Sequence, residues 1–393
     1  MAALQIIYWI CVFAILHSYV FYSVILYILA KNKKDNAIVY TKDDDLPEIS
    51  ILLAVYNEEE VLEEKLQSML GSKYPTEKVK ILIGSDNSTD KTNAILEAYE
   101  KKYPSQIKLF LFTSRQGKAK IINHLHEMAG GEIYILTDAN VMFDENTMFE
   151  LIKHFKNQEI GIVDSNMINK GLNPSGISIQ EKAYISREVL IKNKESKIWG
   201  SMMGPFGGCY AIRKSLYQAV PPNFLVDDFY INMKVLVQKK KAINNLHAKV
   251  YEDVSNNLED EFRRKIRIST GNFQNLLFFR QLIFKCNGIS FSFFSHKVLR
   301  WFGPMFLLVA FFTNILLLDN QLYYYLFYLY CLTFAIPIFD FILRKIKVHL
   351  VIFRFITHFY SMNLALLIGF YKFIKGVKSN VWQPTKRNQS LRA

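Results

Sequence analysis

Apolar positions along this chain follow two different patterns. At residues 4–30, 298–318, 322–343 and 350–370 they form long runs with few or no charges, each approaching or exceeding the roughly 20 residues that cross a bilayer as a helix. Between residues 47 and about 251 the runs are short and periodic instead. Residues 49–54 read as a buried strand, and 58–70 as an amphipathic helix with Val61, Leu62, Leu66, Met69 and Leu70 on one side. Residues 79–83 repeat the strand, Ser85-Asp86-Asn87-Ser88 the turn, and 89–99 the helix. Strands at 107–112 and 133–136 flank a helical stretch at 118–128. Such alternation predicts an open, mainly parallel α/β sheet with helices on both faces. Residues 261–285 predict a helix with a basic start, Arg263, Arg264, Lys265 and Arg267, and an aromatic remainder, the pattern of a segment at a membrane interface.

Composition supports this division. Of 393 residues, 51% are hydrophobic and 15% aromatic, with a mean hydropathy of +0.08. That is high for a soluble enzyme and low for a chain made only of membrane helices. The net charge of +13 does not call for nucleic acid, because basic flanks of membrane spans facing lipid headgroups account for much of it. Cys11, Cys209, Cys286 and Cys331 are scattered without a Cys-x-x-Cys spacing, so neither a disulfide framework nor a zinc site is indicated.

The first apolar run has no basic stretch before it and no small-residue cleavage site after it, and Lys31, Lys33 and Lys34 follow directly. It reads as an uncleaved anchor whose lysines place the middle of the chain in the cytosol. The expected organisation is an anchor at 1–33, a cytosolic α/β domain at 41–260, interfacial helices at 261–295, membrane helices at 296–375 and a basic tail at 376–393. Arg344-Lys345-Ile346-Lys347 fits a cytosolic loop, and Asp319-Asn320-Gln321 an outer turn. A third C-terminal crossing would put the tail outside, although it carries Lys372, Lys375, Lys378, Lys386, Arg387 and Arg392. The segment holding Arg354 and His358 is the candidate for a re-entrant or interfacial helix, since a mid-membrane arginine is costly.

Polar residues collect where the predicted strands end, the edge at which an open α/β sheet binds ligands. After the first strand comes Ala54-Val55-Tyr56-Asn57-Glu58, after the second Asp86, and after the fourth Asp138-Ala139-Asn140. Lys118, Lys120 and Asn123 open a helix, Gly204-Pro205-Phe206-Gly207-Gly208 precedes a strand-like segment, and Val226-Asp227-Asp228 and Arg264-Lys265-Ile266-Arg267-Ile268 follow. Each has a plain structural reading as well. Asn57 and the Asp227-Asp228 pair suit helix starts, the Asp86 turn is ordinary loop chemistry, and the glycines suit a bulge.

Taken in order, these motifs resemble the large inverting family-2 glycosyltransferases with a GT-A fold, the group that contains cellulose, chitin and hyaluronan synthases. The resemblance covers roughly residues 49–301. It implies that Ala54, Tyr56 and Glu58 hold the nucleoside, that Asp86 binds the uracil edge, and that Lys118 closes over the donor. It further implies that Asp138 and Asn140 bind Mg2+ or Mn2+ with the donor diphosphate, that Asp228 is the general base with Asp227 its acidic neighbour, and that Arg267 contacts the diphosphate, with Arg264, in place of the family's glutamine, at the same donor-binding motif. Adjacent carboxylates repel, which raises one pKa toward the working range of a base. Asn140 replaces the second aspartate of the family's Asp-x-Asp, and Ile268 replaces the tryptophan that stacks on acceptor sugar in processive members. Trp199 or Phe206 could supply an aromatic platform in its place.

The implied activity is transfer of a sugar from a nucleotide-sugar, a UDP-sugar in the leading version, to a growing glycan in cell-surface polysaccharide synthesis. The cell membrane is the expected location, with membrane lipids and a glycan or lipid-linked acceptor as partners and no nucleic acid. Two alternatives stay open: non-processive transfer to a lipid-linked acceptor, and a non-catalytic export or scaffold subunit.

Overall fold

The computed structural model describes residues 1–171, 178–253, 258–346, 348 and 350–377. It divides into two compact units. One holds residues 29–171 and 184–253 and contains every strand among the described residues. The other holds residues 1–28, 178–183 and 258–376 and is helical throughout its described part.

In the first unit eight strands form one sheet: β1 (Ile49–Val55), β2 (Val79–Asp86), β3 (Ile107–Phe112), β4 (Ile133–Thr137), β5 (Val141–Phe143), β6 (Ile160–Lys170), β7 (Cys209–Arg213) and β8 (Lys241–Asp253). Their spatial order is β3-β2-β1-β4-β7-β6-β8-β5. The half from β3 to β4 is parallel, as the alternating pattern predicts. The other half is mixed, although four of the seven described strand pairings are parallel, as expected of a mainly parallel sheet. β7 runs antiparallel between β4 and β6, β6 pairs parallel with β8, and β5 pairs antiparallel with β8. β1 is buried along its whole length because helices cover both of its faces.

Two predicted helices begin later than their hydrophobic periodicity suggests. The first starts at Leu62, because Asn57 takes a left-handed backbone (φ 51°) and the Glu58 amide is held by Thr92 Oγ1. The second runs over Thr92–Lys102, since Asp90 accepts from the Thr92 amide ahead of it. The glycine-rich stretch before Cys209 is a loop leading into β7 and not strand.

Among the described residues of the helical unit, three helices are long and apolar enough to cross a membrane: Ala2–Ala30, Gln321–Lys345 and Val351–Ile374. Gly288–Trp301 and Gly303–Ile315 meet at a 60° bend and together would make a fourth. The interruption therefore falls within the 298–318 run, whereas the helix carrying Arg354 and His358 is continuous. Tyr8 and Cys11 of the first helix pack on Ala310, Leu317 and Tyr323, while Ile6, Ile10, Phe13, Leu332, Ile338 and Phe339 are exposed. Apolar surface on that scale needs a non-aqueous neighbour. The Leu258–Phe279 helix lies against Val351–Ile374, with Ser269 Oγ donating to Leu366 O at 3.0 Å and Thr270 Oγ1 to Gly369 O at 3.2 Å. A Cβ on Gly369 would sit 2.4 Å from Ser269 Cβ, so only glycine permits this approach. Lys347 and the tail from Lys378 on, including Lys386, Arg387 and Arg392, lie outside the described residues.

Candidate active site at the strand ends

The carboxyl ends of β1, β2 and β4 sit side by side, and the chemistry-bearing residues cluster there. Asp86 ends β2 with no exposed surface. Its carboxylate accepts from Arg115 Nε at 3.0 Å, from the Gln116 amide at 2.5 Å and from the Gly117 amide at 3.1 Å. Arg115 in turn lies 3.3 Å from the centroid of the Tyr56 ring. Asp86 thus shapes the approach to the Lys118 helix with both oxygens already engaged. Across the same edge Asn57 Oδ1 accepts from the Thr89 amide at 2.9 Å, tying the loop after β1 to the loop after β2. Ala54 is buried within β1, and Glu58 is half-buried in the turn beyond it.

Lys118 is the first residue of the Lys118–Met128 helix. Its Nζ is 2.7 Å from Asp138 Oδ1 at the end of β4 and 3.8 Å from Asp227 Oδ2 at the start of the Asp227–Val237 helix. Burial alone would lower its pKa, but Asp138 and Asp227 together hold it above the ordinary lysine value. Asp228 follows immediately. Its Oδ2 accepts from the Gly207 amide at 2.8 Å and its Oδ1 from its neighbour Phe229 at 2.8 Å. Burial, and then the adjacent Asp227, pushes Asp228 up to about 7. A carboxyl poised there exchanges protons near neutral pH, as a general base must.

Beneath the Asp138 turn lies a residue whose role the sequence did not disclose. Lys65 has no exposed surface, and its Nζ donates to Thr137 Oγ1 at 2.7 Å and to Val141 O. It brackets Asp138-Ala139-Asn140 from below and sits 4.0 Å from the Phe143 ring centroid. Burial lowers it to about 7, against the pull of Cys209 and Asp138. The available signal was a lysine on the apolar stripe that includes Leu62, Leu66 and Met69. Arg115, Asp164 and Lys192 were missed as well. For Asp164 the signal was a charge interrupting the apolar run of β6.

Other expected residues have different partners. Asn123 accepts from Tyr217 OH at 2.8 Å and donates to Val220 O at 2.9 Å, which makes it a clamp on that segment, and Lys120 is exposed. Asn140 donates to Glu252 Oε1 at 3.0 Å, across the β5–β8 pairing. Trp199 is half-buried, and one face of the Phe206 ring is covered by Lys192 at 3.7 Å. Arg264 and Arg267 belong to the helical unit, on the Leu258–Phe279 helix. There Arg264 pairs with buried Glu261 at 3.1 Å, Arg267 is exposed, and Ile268 is half-buried.

Among the described residues no group of three or more His, Cys, Asp or Glu side chains is spaced to hold a metal. A hard divalent cation bound together with a diphosphate draws most of its oxygens from phosphate and water and needs only one or two from protein. Partly exposed Asp138, with Asn140 two residues on, offers that number of hard donors.

Residues 50–220 match the family model described as Glycosyl transferase family 2. Residues 50–220 are therefore a family 2 glycosyltransferase domain. Poly-beta-1,6-N-acetyl-D-glucosamine synthase of Staphylococcus epidermidis is 31% identical over 175 residues, 44% of this chain and 42% of that one. Beta-monoglucosyldiacylglycerol synthase of Nostoc sp. is 30% identical over 120 residues, 30% of this chain and 25% of that one. The chain thus spans less than half the length of these curated relatives. Among solved structures the mannosyltransferase PcManGT of Pyrobaculum calidifontis, in complex with GDP-Man and Mn2+, superposes with a TM-score of 0.72 at 19% identity, covering 94% of this chain and 99% of that one. The glycosyltransferase domain of the present chain therefore has the GT-A fold.

Proposed function

We propose that this chain is an inverting glycosyltransferase of the cell membrane that moves a sugar from a UDP-sugar to a growing surface polysaccharide, with its GT-A domain in the cytosol. The observation that carries this reading is Lys118, held between Asp138 and Asp227 beside a carboxyl that titrates near neutrality. The synthase from Staphylococcus epidermidis supports a polysaccharide product, and the lysines after the first membrane helix support the cytosolic side.

In this reading Ala54, Tyr56 and Glu58 flank the nucleoside at the end of β1, while Asp86 and Arg115 form the wall that meets the base. Lys118 moves its ammonium from Asp138 to the donor diphosphate, where a cation offsets the charge that grows as the glycosidic bond breaks. Asp138 and Asn140 would hold Mg2+ or Mn2+. That ion would supply further stabilisation of the departing diphosphate. Asp228 takes the proton of the acceptor hydroxyl as its oxygen bonds to the anomeric carbon, and the bond from that carbon to the diphosphate breaks on the opposite face, inverting the configuration.

A second reading, single-sugar transfer to a lipid-linked acceptor, is favoured by Ile268 at the position of the stacking tryptophan and by the covered face of Phe206. A non-catalytic scaffold role is disfavoured by Asp228, since a carboxyl held near 7 beside Lys118 and two further aspartates is a feature of active sites.

The test is to incubate membranes containing the protein with labelled UDP- and GDP-sugars, with Mn2+, Mg2+ or EDTA, and to size the product. Incorporation from a UDP-sugar, lost in EDTA, is the expected result. Long products support polymer synthesis and single additions to lipid support the second reading. No incorporation from any donor refutes both.

A further inference from the structure

The loop of residues 202–208, which leads into β7, is stapled along its length. Asn232 Nδ2 donates to Met202 O at 2.9 Å, buried Glu195 accepts from the Met203 amide at 2.9 Å, and Gly204 turns through a left-handed conformation (φ 81°) against the Phe229 ring. Phe206 is held from two directions. Its amide donates to Asp164 Oδ1 at 3.3 Å, and its ring lies 3.7 Å beneath Lys192 Nζ. Lys192 and Asp164 form an ion pair at 2.5 Å, both almost wholly buried, and Asn244 Nδ2 donates to the same Asp164 oxygen at 3.2 Å. The next residue along the loop, Gly207, gives its amide to Asp228.

Two charges withdrawn from water carry a large desolvation cost, and replacing such a pair with apolar groups is often neutral or stabilising. An ion pair retained in the core therefore invites a role other than stability. We infer that Lys192 and Asp164 are positioning residues for sugar transfer: they clamp Phe206, and through Phe206 they fix the Gly207 amide that orients the carboxylate of Asp228. This rests on the reading of Asp228 as the base. Asp86, Lys118 and Asp138, which that reading gives to the donor, lie on other elements, so the pair should act on the chemical step and not on donor binding. Orientation alone is worth this much, because small displacements of a reacting group cost orders of magnitude in rate.

The experiment compares wild type with Lys192→Met, Asp164→Asn and the double variant K192M/D164N in the full chain. The double variant leaves no unpaired buried charge, so it tests the role even where a single variant fails to fold. Steady-state kinetics should give kcat lowered at least about tenfold with donor KM within about threefold. Hydrogen–deuterium exchange should show residues 204–208 exchanging at least about tenfold faster, while β1 and β2 keep their protection. A folded double variant with kcat within twofold of wild type overturns the inference, as does unchanged protection of the loop or a loss confined to KM. A wild-type chain that transfers no sugar would instead refute the proposed function, and the exchange measurement would still decide whether the pair grips the loop.

Discussion

If Asp228 is the base, the pH dependence of transfer should report its ionisation. The gap between about 7 and the ordinary aspartate value near 4 corresponds to about 4 kcal/mol against the charged form. Burial is the larger cause and Asp227 the next. The profile of kcat/KM reports the free enzyme, so it should rise through about pH 7, with roughly a tenth of the plateau rate at pH 6. Asp227→Asn removes the like charge and should move that limb to lower pH. Asp228→Asn should cost about 10²–10⁴ in kcat at pH 8. The same shift has a thermodynamic face. A carboxyl raised above its unfolded value contributes stability that is fully present below the unfolded pKa and is lost as pH rises through about 7. The Tm of wild type should therefore fall between pH 5 and 8 relative to that of Asp228→Asn. The assay is labelled-sugar transfer by purified protein across pH 5–8.5. A flat profile, or Asp228→Asn within about threefold of wild type at pH 8, would refute the assignment.

Lys118→Met removes a charge-assisted contact worth about 1.5–3 kcal/mol and should weaken nucleotide-sugar binding about 10- to 100-fold by calorimetry, the effect expected if the ammonium meets the diphosphate. Lys65 is depressed by burial to about 7, so the unfolded chain binds more protons above that pH and stability should climb from pH 7 toward 10. Lys65→Met should flatten that rise in a thermal melt. Gly369→Val forces a side chain into Ser269 and should destabilise the packing of Leu258–Phe279 on Val351–Ile374 by about 1–3 kcal/mol, seen as faster proteolysis within either helix.

Local pattern alone made much of this protein legible. Apolar runs of bilayer length marked three helices long and apolar enough to cross a membrane but not the bend in the 298–318 run, and alternating short runs marked β1 to β4 and the helices between them, because periodicity records which face each element buries. The ordered motifs from Ala54 to Arg267 pointed to the family. Sequence could not disclose the antiparallel insertion of β7, since pairing direction depends on which strands meet after distant segments return to the sheet. Nor could it separate Asn123, a clamp on Val220, from Lys118, which faces Asp138, although both belong to one motif.

Lys65, Arg115 and the Lys192–Asp164 pair carry no motif at all. Each gains its meaning from a partner between 28 and 76 positions away, and only folding supplies that neighbour. The sequence by itself settled which residues are apolar, where chain direction changes, and which acids and lysines are present. Which of those charges lose water, and which group they face once they do, was decided by the tertiary structure, because desolvation and Coulomb interaction depend on distance in space and not along the chain.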